Sequence, residues 1–157
     1  MGGSVIRKLV KLLLVLFFMI IIFLFSSENG KTSTKHSDSV IIAFSESILH
    51  RKLTSKEKGF YIDKFVYVVR KSAHGFIYFL FGISIISFIK EFIFLSWKQV
   101  FFSTLFVLLY ACSDEIHQLF ISGRSGEIFD VFIDTIGGFL GISFYFKVYE
   151  RRRIKNG

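Results

Sequence analysis

The sequence predicts an all-α fold: an integral membrane bundle of four transmembrane helices with an amphipathic surface segment in the first loop. Three observations carry this. The 157 residues are 52% hydrophobic, with 22 phenylalanines and no proline. The apolar residues come in long blocks rather than alternating with polar ones, the pattern of lipid-facing helices rather than half-buried strands. Four blocks approach the roughly 20 residues that a helix needs to cross a bilayer. Without proline, no block carries an obligatory kink. A single domain over 1–157 is expected.

The first helix is placed at about 9–25, LVKLLLVLFFMIIIFLF, with Arg7, Lys8 and Lys11 at its N-terminal end. The block is long for the apolar core of a signal peptide, and SSENGKTS after it lacks a small-residue cleavage pattern, so a retained span is expected. Residues 26–64 read as a polar extracytoplasmic loop. Within it VIIAFSESILHRKL (40–53) is too short and polar to span and suits the membrane surface. Thr54 and Glu57 have capping-box spacing, a helix start ahead of Gly59. The second helix is expected at 65–89 and closes at Lys90 and Glu91. A short turn follows over 90–98, with Trp97 as an interface anchor. The third helix is expected at 99–117. The fourth is expected at 128–146, ahead of Lys147 and the basic tail 150–155.

The net charge is +8. In so apolar a chain the basic residues are expected to set orientation and meet anionic headgroups, so membrane lipids are the expected partners. No nucleic-acid-binding motif accompanies the charge, and no nucleic-acid partner is expected. With the N-terminus inside, ten of the 20 basic residues are cytoplasmic (Arg7, Lys8, Lys11, Lys90, Lys98, Lys147, Arg151, Arg152, Arg153 and Lys155) and ten lie opposite. The cytoplasmic set occupies much shorter segments close to helix ends, which count most, so both termini are expected in the cytoplasm. The lone Cys112 excludes an intramolecular disulfide and reads as an inert buried thiol.

Between the third and fourth apolar blocks, SDEIHQLFISGRSGEIFDVFID (113–134) places Asp114, Glu115, His117, Arg124, Glu127, Asp130 and Asp134 at or inside the membrane boundary. Charge there costs roughly 2.5–3.5 kcal/mol per residue at a helix centre, so these groups must face protein, water or a partner. Tyr67, Lys71, His74, Tyr78 and Phe81 share one face of the second helix, with Arg70 on its flank. Tyr110, Asp114, His117 and Ile121 share a face of the third, where Asp114 at i, i+3 is placed to fix the His117 tautomer. On the fourth, Glu127, Asp130, Asp134, Gly137, Gly138 and Gly141 fall within about a 100° arc, so the acids lie on a face that small residues let pack inward. Gly123 and Gly126 frame a turn that directs Arg124 back over the cluster.

Three roles suit Arg70, Lys71, His74, Asp114, His117, Arg124, Asp130 and Asp134 if they converge. They form mutual ion pairs that fix helix register, Asp130 pairing with Arg124 or Arg70. Or Arg70, Lys71 and Arg124 grip an anionic ligand. Or Asp114, His117, Asp130, Asp134 and His74 supply oxygen and nitrogen ligands to a metal. The spacing matches no strong zinc signature, and neither a resident metal nor another cofactor is assigned. GRSG is not a nucleophile elbow, which excludes Ser125 or Ser122 as that nucleophile. His36 and His50 read as solvated loop residues.

FLFSS after the first helix, RKSAHGFIY in the second, and YACSDEIHQLFISGRSGEIFDVFIDTIGG linking the third and fourth resemble the VanZ-like family of bacterial membrane proteins, over about Phe23 to Gly141. The resemblance implies a small multi-pass protein of the bacterial cell membrane, a family associated through its namesake with resistance to the glycopeptide teicoplanin. It maps the family pattern onto Lys71, His74, Tyr78, Asp114, Glu115, His117, Gln118, Gly123, Arg124, Asp130, Asp134 and Gly138. Ile77 stands where the family often has an acid, which removes an expected partner of His74, and Ser122 replaces the usual proline of the turn. With Arg70 added, these imply a ligand site of Arg70, Lys71, His74, Tyr78, Asp114, Glu115, His117, Gln118, Arg124, Asp130 and Asp134. The leading expectation is an outward-facing pocket that binds or modifies an anionic envelope component, with a lipid-linked wall precursor or a glycopeptide as partner and a homo-oligomer as one assembly. The alternative is a metal-assisted hydrolase or transferase acting on a lipid headgroup, with His117 or Asp114 as catalytic base. A small transporter or ion pathway is a third class.

Overall fold

The computed structural model describes residues 2–93 and 96–155. The side chains of 153–155 lie outside that description, and so do part of the expected basic tail and residues 94–95 of the 90–98 turn. Among the described residues the chain forms five α-helices and no strand: α1 (Gly2–Ser27), α2 (Gly30–Leu49), α3 (Ser55–Ile89), α4 (Trp97–Gln118) and α5 (Ile128–Lys155). Helices α1, α3, α4 and α5 are each long and apolar enough to cross a membrane. They cover the four expected apolar blocks and extend beyond them.

The region expected to be a polar loop is mostly helix. Asn29 caps α2, its side chain accepting from the Thr32 amide at 2.9 Å, and the helix stops at His50, whose φ of 51° is left-handed. Asn, Ser and Thr at such a start satisfy backbone N–H groups that otherwise lack partners, and that local chemistry is independent of hydropathy. The capping box at Thr54 and Glu57 is formed, with both the side-chain and the backbone bond present. It opens a 35-residue helix that passes straight through Gly59 to Ile89. At 1.5 Å per residue α3 is about 52 Å long against a hydrocarbon core of about 30 Å. Its first turns therefore project beyond the core, where α2 packs along them.

The bundle runs up and down, so the N-termini of α1 and α4 and the C-termini of α3 and α5 share one end. There Glu91 accepts from Arg7 at 2.7 Å and Lys11 at 2.5 Å, and Lys90 bonds the Tyr145 hydroxyl at 3.0 Å. Lys11, with Arg7 adding to it, holds the Glu91 carboxyl below its ordinary value. The core between the spans holds Ile22, Tyr78, Phe81, Ile85, Ile86, Val107, Ala111, Ile142 and Phe146. Large apolar side chains on α1, including Val5, Phe17, Ile20 and Leu24, point outward, as a lipid-facing helix requires.

Helices α3 and α5 pack backbone to backbone. A Cβ on Gly137 would collide with the Gly75 carbonyl, one on Gly141 with the Phe79 carbonyl, and one on Gly82 with the Gly138 carbonyl. Small residues permit this approach in lipid, where close van der Waals contact replaces the hydrophobic effect as the force between helices. The glycines expected on the inward face of the fourth helix are the ones that make the contact.

Candidate functional site

At the other end of the bundle, α1 finishes, α2 and α3 begin, α4 finishes and α5 begins. Because α3 and α5 touch at Gly75 and Gly137, the side chains within the next two turns towards this end are forced together: Lys71 and His74 from α3, Asp130 and Asp134 from α5. The Lys71 ammonium bonds Asp130 and, at 3.1 Å, Glu127. Asp130 is thus paired with Lys71, not with Arg124 or Arg70 as the sequence suggested. Which helix face meets which depends on the rotation that the glycines impose, and helical spacing within one chain segment does not contain it. His74 Nδ1 lies 3.8 Å from Asp134 Oδ1. The partner that Ile77 fails to provide to His74 comes from α5 instead.

On α4, Asp114, Glu115 and Gln118 are buried. Gln118 Nε2 donates to Asp114 Oδ2 at 3.2 Å and Glu115 Oε1 at 3.0 Å and approaches Ser26 Oγ at 3.5 Å. Its Oε1 accepts from Arg124 at 3.2 Å. Glu115 Oε2 accepts from the Glu127 amide at 2.8 Å, tying the 119–127 turn to α4. The expected bond between Asp114 and His117 is not formed. His117 faces α1, with its Nε2 3.0 Å from Ser27 Oγ and its ring stacked on Phe23 at 4.6 Å. It makes no hydrogen bond to the acids, and the carboxylates that converge, Asp114, Glu115 and Asp134, do so without it.

Arg124 does turn back over the site, but much of its hydrogen-bonding capacity goes to α1. Nε donates to the Glu28 carbonyl at 2.9 Å and a terminal nitrogen to the Phe25 carbonyl at 2.6 Å, capping carbonyls that a helix end leaves without partners. Gly123, at φ 75°, makes the turn, and its carbonyl lies so close to Gly30 that a Cβ there would collide. Burial pulls the Arg124 guanidinium below its ordinary value, and the charge of nearby Arg70 acts the same way. Arg70 makes no hydrogen bond or ion pair among the described residues.

These residues border a cavity of about 440 Å³ between α1, α2 and α3. Its walls are mostly apolar, including Ile22, Phe25, Val40, Val69, Phe76 and Ile77, while Arg70, Arg124, His74 and His36 gather among the polar lining groups. Glu28, also on the wall, is held by His36 at 3.3 Å. Val40 and Val69 also border a second cavity of about 450 Å³ between α2 and α3, lined further by Ile41, Phe44, Ile48, Tyr61 and Phe65. His36 is exposed, as expected, but it lies on a helix rather than in a loop, and α2 brings it to the rim of the cavity. Nothing in its sequence neighbourhood signals this except the Asn29 cap.

Four helices long and apolar enough to cross a membrane, with a polar cluster at one end of their bundle, define a multi-pass membrane protein. A family model described as VanZ/LLP1 matches residues 11–149, and the chain belongs to that family. No curated protein and no solved structure matches the chain.

Proposed function

We propose that this VanZ/LLP1 protein binds an amphiphile with an anionic headgroup, such as a lipid-linked component of the bacterial envelope, and in doing so lowers susceptibility to teicoplanin. The observation that carries this is a pair of adjacent apolar cavities sharing Val40 and Val69, with the Arg70 guanidinium, unpaired among the described residues, on the wall of the first. An acyl or prenyl chain fits the track from Ile22 and Phe76 through Val40 and Val69 to Phe44. A phosphate fits beside Arg70, which has no competing partner among the described residues, and Arg124, whose charge is only partly neutralised by the carbonyls it bonds. Charge-assisted hydrogen bonds from a guanidinium to such oxygens are the strong class. Lys71 and Asp130 neutralise one another off the cavity and take no part in the grip.

With both termini cytoplasmic, as the dense short basic segments favour, the cavity lies at the outer leaflet of the bacterial cell membrane, where wall precursors are used. The test is the teicoplanin susceptibility of a host expressing the wild type, Arg70→Gln or Lys71→Gln, a position off the cavity, with membrane abundance measured by immunoblot. Wild type is expected to lower susceptibility and Arg70→Gln to lose the effect at unchanged abundance. Full protection by Arg70→Gln contradicts the proposal.

A further inference from the structure

We propose that Asp114, Glu115 and Asp134 bind one divalent cation of the hard, oxygen-preferring class, Mg2+ or Mn2+, inside the bundle. Each residue offers a carboxylate oxygen, and these oxygens lie within 4.8 Å of one another. An ion about 2.1–2.5 Å from each ligand joins oxygens up to about 4–5 Å apart. The three side chains are 4%, 6% and 0% exposed, so water does not screen them as it screens surface acids.

The polar partners of the trio do not balance it. Asp114 accepts one bond from Gln118, and Glu115 accepts one from Gln118 and one from the Glu127 amide. Asp134 has neither oxygen hydrogen-bonded, and its nearest basic atom is His74 Nδ1 at 3.8 Å. The Tyr78 side chain is also fully buried, its hydroxyl has no partner, and it lies in the electrostatic field of Asp114, Asp134 and Glu115. Of the nearby cations, Lys71 is committed to Asp130 and Glu127 and Arg124 to Gln118 and to carbonyls of 25 and 28, while His74 reaches only one oxygen of one member of the trio, Asp134 Oδ1. Convergent buried carboxylates repel, and buried charge is tolerated where it is paired or holds a metal. A divalent cation supplies the missing positive charge and a close partner for the Asp134 oxygens, neither of which is hydrogen-bonded among the described residues. The all-oxygen donor set selects Mg2+ or Mn2+ over zinc. Three protein ligands leave coordination positions open, and His74 and Tyr78 connect this site to the wall of the 440 Å³ cavity.

The site differs from the ligand set that spacing suggested, since His117 and Asp130 point elsewhere and Glu115 takes part. It stands whether or not the cavity holds an amphiphile, because its test uses the metal alone. Full-length protein in detergent, stripped with chelator, is titrated with Mn2+ while free Mn2+ is read from its electron paramagnetic resonance signal, with Mg2+ as competitor. One Mn2+ per chain, displaced by Mg2+, is expected. Asp134→Asn and Glu115→Gln are each expected to weaken binding by at least about 10-fold, the lower end of what even indirect partners of a metal contribute. Asp130→Asn is expected to bind as the wild type does. Circular dichroism and gel filtration check that variants are folded; should Asp134→Asn not fold, Glu115→Gln and the wild-type stoichiometry decide. No stoichiometric Mn2+ on the wild type at millimolar free ion, or folded trio variants that bind like the wild type, overturns the proposal.

Discussion

Adding one methyl group at Gly137 should loosen the whole site. A Cβ there would stand 3.0 Å from both the carbonyl carbon and the Cα of Gly75 and closer still to its oxygen. These are backbone atoms of a packed helix, so they cannot yield as the tip of a long side chain would; α3 and α5 must move apart. Overpacking of this kind costs about 1–3 kcal/mol, partly offset by the gain of roughly 1 kcal/mol for Gly→Ala inside a helix. Two other glycines serve as internal controls. A Cβ at Gly75 meets only Ile133 Cγ2 at 3.5 Å, an ordinary contact, and one at Gly59 meets nothing within 4 Å. Gly59→Ala should therefore stabilise by up to about 1 kcal/mol, and Gly75→Ala should change little or stabilise. The assay is unfolding in mixed micelles with increasing SDS, followed by circular dichroism. Gly137→Ala at or above wild-type stability, alongside a similar gain for Gly59→Ala, would refute the backbone contact between α3 and α5.

Other outcomes follow from single contacts. Thr54→Ala removes the cap of α3 and should cost about 1 kcal/mol, seen as faster hydrogen exchange at the Glu57 and Lys58 amides while the α5 amides keep their protection. Lys71→Met leaves Asp130 and Glu127 facing one another without their shared cation. Because the pair is only partly buried, the loss should be on the order of 2 kcal/mol, below the 3–5 kcal/mol of a fully buried pair, in the same SDS titration. At the opposite end, Glu91 has its carboxyl held below the ordinary 4.5 by Lys11 and Arg7. A depressed folded value gives stability that is present above 4.5 and lost as pH falls through the folded value. Wild type should therefore lose stability between neutral pH and pH values below 4.5 by more than Glu91→Gln does, and equal losses would contradict the pairing.

The four spans were legible because lipid exposure writes itself into composition: α1 carries apolar residues on every face, and Phe65 to Ile89 is an unbroken block apart from its polar stripe. The glycine face of α5 was legible too, since small residues at helical spacing have few other uses in lipid. Helix α2 was not. Its first half, GKTSTKHSDS, is polar, and hydropathy is silent about a helix held by an Asn29 cap and by packing against the projecting turns of α3. Missing α2 also hid the cavity, since its outer wall is Val40, Ser37 and His36. Pairings among the charged residues were the hardest to read. The spacing of Asp114 and His117 permits a hydrogen bond, yet His117 rotates to Ser27 and Phe23 on α1. Spacing leaves Arg124 and Arg70 open as partners of Asp130, whereas α5 presents it to Lys71 on α3. Arg124 itself satisfies carbonyls at the end of α1, a need that appears only when that end is in place.

Native mass spectrometry of the detergent-purified full chain tests the central claim most directly, by comparing a phosphate-headgroup lipid with a zwitterionic lipid of the same acyl chains. Retention of one phosphatidic acid per chain in preference to phosphatidylcholine is predicted, with Arg70→Gln reducing that retention about 10-fold, as loss of one charge-assisted hydrogen bond would. Equal retention of the two lipids, or a preference that survives Arg70→Gln unchanged, would contradict an anionic headgroup held at Arg70.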